Sequence, residues 1–171
     1  TFAAIGQRGV DVWDGEPEGV YVPTDTAARI TALTDGEIFI AGAQFTEVLR
    51  PFAVRAAEID TVQYGSDDTK THRKIKHILG AAHHDRVGRL LVSELFTVGA
   101  GGWSGFPSHK HDTDRRDPVT GEMIETRHDE TYNFRFRPNH GSGLQMLQRQ
   151  DNEPGDAYHV MDGSTVLIDK G

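Results

Sequence analysis

Turn signals cut this chain into apolar stretches too short for anything but strands, and that spacing constrains its fold more than any other feature. The breaks are Asp35-Gly36, Pro138-Asn139, Glu153-Pro154-Gly155 and Asp162-Gly163, dipeptides and tripeptides that punctuate structure through their backbone preferences. Between them, residues 20–22, 90–98, 130–137, 144–150, 157–161 and 165–168 alternate apolar with polar side chains or form short apolar runs. A period of two marks a strand with one face on a core. No stretch carries the longer period of an extended amphipathic helix. The expectation is an all-β sandwich or barrel. Residues 29–33 and 37–41, flanking Asp35-Gly36, predict a hairpin, and residues 52–59 a further extended piece. Residues 66–89 are polar and hold His72, His77, His83 and His84. They read as a connector with solvated histidines and one strand near 74–79. Acidic and basic residues mix from 112 to 127, around Asp117-Pro118 and Thr120-Gly121, which predicts a long exposed loop.

Charge and composition exclude some functions. The 18 Lys and Arg residues are scattered and the formal net charge is −8, so no basic face for nucleic acid is visible. The apolar runs fall far short of the roughly 20 residues that span a bilayer. With no cysteine, a metal could be held only through nitrogen and oxygen. A cysteine-free chain with no targeting signal in view fits a cytoplasmic setting.

The chemistry-bearing feature is Pro107-Ser108-His109-Lys110-His111-Asp112. If this segment is extended, His109 and His111 point one way and Lys110 the other. Glu130 opens the next strand candidate, where Tyr132, Phe134 and Phe136 share its face, and three aromatics mark that face for burial. A carboxylate at the head of a buried row needs a partner. Two neutral imidazoles and one carboxylate around a divalent cation provide one. Nine histidines make an H-x-H pair easy to find by chance; the order H-x-H, loop, acid, strand is more specific than the pair alone. Lys110, Arg135 and Arg149 face away from the ligands by alternation and are left without a role.

Residues 162–171 resemble the second conserved segment of the cupin superfamily, with Asp169 in place of its proline. More narrowly, residues 102–112, His128-Asp129-Glu130-Thr131-Tyr132, Gln148-Arg149, and residues 6–13 and 20–23 upstream are together similar to the 5-deoxy-glucuronate isomerase family of inositol catabolism. The long spacing from His111 to Glu130 departs from the general cupin pattern but is a feature of that family. Asn133 and Phe134 stand where the family more often has tyrosines.

The resemblance implies a cupin-type β-barrel or jelly roll in a bicupin arrangement, incomplete at both ends: residues 1–65 the later part of a first unit, 66–89 the connector, 90–171 the earlier part of a second, metal-binding unit. It implies isomerisation of 5-deoxy-glucuronate to 2-deoxy-5-keto-gluconate. His109, His111 and Glu130 would be metal ligands, and a further histidine is due within about three residues of Gly171. Tyr132 and Gln148 are candidates for contact with substrate. The cation is expected to be zinc, with manganese or iron next; the partner is a small sugar acid, and the assembly a homo-oligomer. A piece lacking strands at both ends would expose unpaired edges and be weakly active or inactive alone. Competing readings are a 5-keto-4-deoxyuronate isomerase, a cupin dioxygenase and a non-catalytic sugar-acid-binding cupin.

Overall fold

A computed structural model describes residues 1–99 and 101–171. The chain is all-β, with two short 3-10 turns as its only helical elements among the described residues. It divides into two compact units, Thr1–Ser104 and Gly105–Gly171.

In the first unit, β1 (Gly19–Tyr21) pairs antiparallel with β2 (Phe52–Val54). Three longer strands, β3 (Asp60–Tyr64), β4 (Arg73–Leu79) and β5 (Val92–Thr97), form an antiparallel sheet in that order. The turn from β3 to β4 requires Gly65: its φ is +73°, and a Cβ there would stand 2.2 Å from the Thr71 carbonyl oxygen. Tyr21, Phe52, Val54 and Leu79 make the core, with Leu49, Ile59, Ile78 and Val92 packed around it. The predicted extended piece at 52–59 stops at Val54, where Arg55 opens the 3-10 turn Ala56–Glu58.

The division at Ser104 differs from the expected boundaries at 65 and 90. Strand β4, inside the expected connector, hydrogen-bonds to β3 on one side and β5 on the other, so residues 66–97 belong to the first unit. The connector histidines are correspondingly not all solvated. His83 is buried and stacks on Phe52, with ring centroids 5.6 Å apart and planes 11° from parallel. His77 lies in β4, its Nδ1 2.9 Å from the Ser93 hydroxyl.

The hairpin expected at 29–41 is not formed. Ile30, Leu33, Ile38 and Ile40 are all more than 60% exposed. Alternation makes a strand only where one face has something to bury against, and an isolated two-stranded hairpin is marginal.

In the second unit, the expected loop over 112–127 contains a hairpin instead: β6 (Arg115–Arg116) and β7 (Met123–Glu125). Its turn is set by Asp117, whose carboxylate accepts the amides of Val119 and Thr120, each at 2.8 Å. These local bonds close the turn without apolar patterning. Strand β8 (Glu130–Asn133) pairs with β11 (Thr165–Ile168), and β9 (Ser142–Leu147) with β10 (Asp156–Met161), all antiparallel. Leu147, Val160 and Ile168 are buried. At the turn before β11, Gly163 takes φ +82° and donates its amide to the Phe134 carbonyl at 2.8 Å. Asp162 accepts the Phe136 amide at 2.7 Å and the Arg135 guanidinium at 3.1 Å, and the backbone bond first, then the arginine, holds its carboxyl below the ordinary range.

Candidate metal centre

His109 and His111 lie on irregular backbone, not on the strand that alternation suggested. The pair is nonetheless brought together: the ring centroids are 4.9 Å apart, edge to face. The His111 carbonyl accepts the His128 amide at 2.8 Å, which lays the H-K-H segment beside the approach to β8. Asp112 accepts the Thr113 hydroxyl at 2.9 Å and the Gly171 amide at 3.2 Å. The hydroxyl, then the amide and the neighbouring Lys110 and Lys170, hold the Asp112 carboxyl below its usual range. Lys110 turns to Asp151, 2.8 Å away.

Both imidazoles have one nitrogen committed. The Nδ1–H of His109 donates to the Pro107 carbonyl at 2.7 Å. The Nδ1–H of His111 donates to Glu125, the last residue of β7. That bond first, and then the nearby Arg115 guanidinium, holds the Glu125 carboxyl below its usual range. A neutral imidazole with its proton on Nδ1 carries its lone pair on Nε2, and tying back the other nitrogen is how proteins orient metal-binding histidines. The donor chemistry of the pair thus fits a divalent cation.

The third ligand is placed differently. Glu130 opens β8 as expected, but its carboxylate accepts the Tyr132 hydroxyl at 2.8 Å. Among the described residues, no three His, Asp or Glu side chains are arranged to hold a metal ion. The aromatic row behind Glu130 is not buried in this chain: Tyr132 is 38% exposed, and Phe134 and Phe136 are half-buried. Tyr132 stacks on Phe134 at 6.2 Å. Gln148 follows β9 and donates to the Glu153 carbonyl at 2.7 Å, on the exposed side where Leu144 and Met146 stand.

Two neighbours of the pair escaped sequence reasoning. His128 has its ring 5.9 Å from that of His111, and Glu125 bonds to it. Position beside Asp129-Glu130 was the one available signal for His128. Glu125 had none, since it reaches His111 only through the β6–β7 hairpin.

An all-β chain of cupin type, with two tied-back imidazoles from one H-x-H segment, defines the class. Residues 1–171 match the KduI/IolB family along the whole chain, and the chain belongs to that family. It is 30% identical to a 5-deoxy-glucuronate isomerase of Geobacillus kaustophilus, over 98% of this chain and 56% of that protein. It is 27% identical to one of Bacillus subtilis strain 168, over 100% of this chain and 59% of that protein. The chain therefore spans somewhat more than half the length of these relatives. The crystal structure of an IolB-like protein from Salmonella typhimurium LT2 superposes with a TM-score of 0.59 at 30% identity, covering 74% of this chain and 44% of that one.

Proposed function

We propose that this chain carries part of the active site of an aldose–ketose isomerase that converts 5-deoxy-glucuronate to 2-deoxy-5-keto-gluconate, with His109, His111 and Glu130 as ligands of a divalent cation. The observation that carries the reading is the H-K-H pair, whose Nδ1 atoms are both hydrogen-bonded away and whose Nε2 atoms are left as donors. It is supported by membership of the KduI/IolB family along the whole chain and by relatives named as 5-deoxy-glucuronate isomerases.

A bound divalent ion would polarise the substrate carbonyl and the neighbouring hydroxyl, which acidifies the C–H between them. The protein's own part is to orient and to donate. Tyr132 holds the Glu130 carboxylate here, and its hydroxyl becomes a donor to a substrate oxygen once that carboxylate is engaged elsewhere. Gln148, just after β9, would reach substrate only by releasing the Glu153 carbonyl that its amide now holds. Three nitrogen and oxygen ligands do not decide the metal; zinc is our first choice, with manganese or iron next. The setting we propose is a cytoplasmic homo-oligomer acting on a free sugar acid.

Incubation with 5-deoxy-glucuronate, and separately with 5-keto-4-deoxyuronate, tests the reading. In a protein of its relatives' full length that carries this chain, turnover of the first alone, abolished in His109→Ala without loss of thermal stability, is the expected result; the 171 residues alone should show little or none. Binding without turnover would make the protein a non-catalytic sugar-acid binder, and oxygen consumption would make it a dioxygenase.

A further inference from the structure

The isomerase reading uses His109, His111 and Glu130 and leaves Glu125 without a task. Glu125 is the last residue of β7, in a short hairpin whose other strand supplies Arg115. Its two carboxylate oxygens are divided. One accepts the Nδ1–H of His111, and the other lies 3.3 Å from the Arg115 Nε. Arg115 and Glu125 are also register partners across the hairpin, so the strand pairing itself fixes where the carboxylate stands. The side chain is 22% exposed and that of His111 is 37% exposed, so the contact is partly shielded from competing water.

We propose that Glu125 is a positioning residue: its carboxylate selects the Nδ1–H tautomer of His111 and presents the Nε2 lone pair as the donor atom of the metal centre. The proposal rests on the isomerase reading for what Nε2 binds, but not for the tautomer. A free imidazole can carry its proton on either nitrogen, and the bond made by one nitrogen decides what the other offers. His109 obtains the same tautomer from the Pro107 carbonyl two residues before it. For His111 the acceptor comes instead from the β6–β7 hairpin. The insertion between His111 and Glu130 thereby acquires a function, which is to carry an orienting carboxylate to the second histidine. Removal of such outer partners typically weakens metal affinity about 10- to 100-fold.

The test uses the full chain with the histidine rings labelled with nitrogen-15, and zinc alone as the probe. His111 should show the Nδ1–H tautomer before any metal is added, and the Nε2–H form there would overturn the proposal without any mutation. Glu125→Met keeps the side-chain volume and removes the acceptor. It should shift His111 toward Nε2–H and weaken zinc binding about 10- to 100-fold. Glu125→Gln, whose amide oxygen can still accept, should restore the tautomer and most of the affinity, a rescue that a merely structural role would not give. If Glu125→Met changes neither tautomer nor affinity while His111→Ala abolishes zinc binding, Glu125 is not a positioning residue and the metal reading survives. If a wild-type protein of its relatives' full length that carries this chain binds no zinc, the metal reading fails, and with it the claim that Glu125 prepares a metal donor.

Discussion

Glu16→Gln should destabilise the first unit by about 2 kcal/mol, and the reasoning can be followed atom by atom. Lys76 lies in β4 with its side chain 7% exposed, its Nζ 2.7 Å from Glu16 and 4.9 Å from the centroid of the Phe96 ring. A hydrogen bond to a charged group contributes roughly 1.5–3 kcal/mol net, and one-sided loss of a fully buried pair costs about 3–5 kcal/mol. The Glu16 side chain is 48% exposed, so solvent screening keeps this pair below the buried limit. The ammonium of Lys76 cannot return to water as easily, so removing Glu16 leaves the charge poorly compensated. Glu94, opposite Lys76 in the register, is already engaged by Arg8 at 2.6 and 3.1 Å. Lys76→Met removes the charge, keeps an apolar stem over Phe96 and leaves Glu16 to water; its cost should stay under about 1 kcal/mol. Urea unfolding followed by tryptophan fluorescence reads this face directly, because Trp13 packs edge-on to Phe96 at 5.6 Å. A Glu16→Gln cost under about 0.5 kcal/mol, or a Lys76→Met cost equal to or above it, would refute the reasoning.

Three further outcomes follow from the same structure. Val54→Ala, at a site 1% exposed in the core, should cost about 2 kcal/mol through two lost methyl groups and the space they leave, read by urea unfolding. Asp162 has its carboxyl held below the ordinary range by the Phe136 amide and by Arg135. Its contribution is therefore complete above the usual carboxylate pKa and disappears as pH falls through the lowered folded value. The stability gap between wild type and Asp162→Asn should accordingly narrow in acid, and a gap independent of pH would contradict this. Tyr132→Phe should lower isomerase turnover about 10- to 100-fold while leaving zinc affinity within about threefold, because the hydroxyl donates to Glu130 and, in the proposed reading, to substrate without ligating metal; an equal loss in both would make Tyr132 part of the metal support instead.

The parts of the fold that could be read from the sequence were those governed by local pattern. Alternation over 90–98 and 165–168 became β5 and β11, and Asp162-Gly163 became a turn because Gly163 takes a positive φ there. The pattern failed where tertiary context decides. Residues 29–41 alternate as well as any strand here, yet Ile30 and Ile40 have no face to pack against. His83 looked like a loop histidine and is part of the core, because Phe52 offers a flat ring for it to stack on. At the candidate site, His109 and His111 meet because they are two residues apart, a proximity that needs no fold. Glu125 joins them only after a hairpin has formed, so no spacing rule could point to it. Glu130 was placed correctly at the start of β8, but the sequence could not reveal that Tyr132 engages its carboxylate.

The most direct test of the central claim is the stoichiometry and affinity of zinc binding by a protein of its relatives' full length that carries this chain, measured by titration in the wild type and in His109→Ala, His111→Ala and Glu130→Gln. The account predicts one zinc per chain, binding abolished by either histidine substitution, and affinity reduced by loss of the Glu130 carboxylate. Zinc binding that is absent, or that survives both histidine substitutions unchanged, would contradict it.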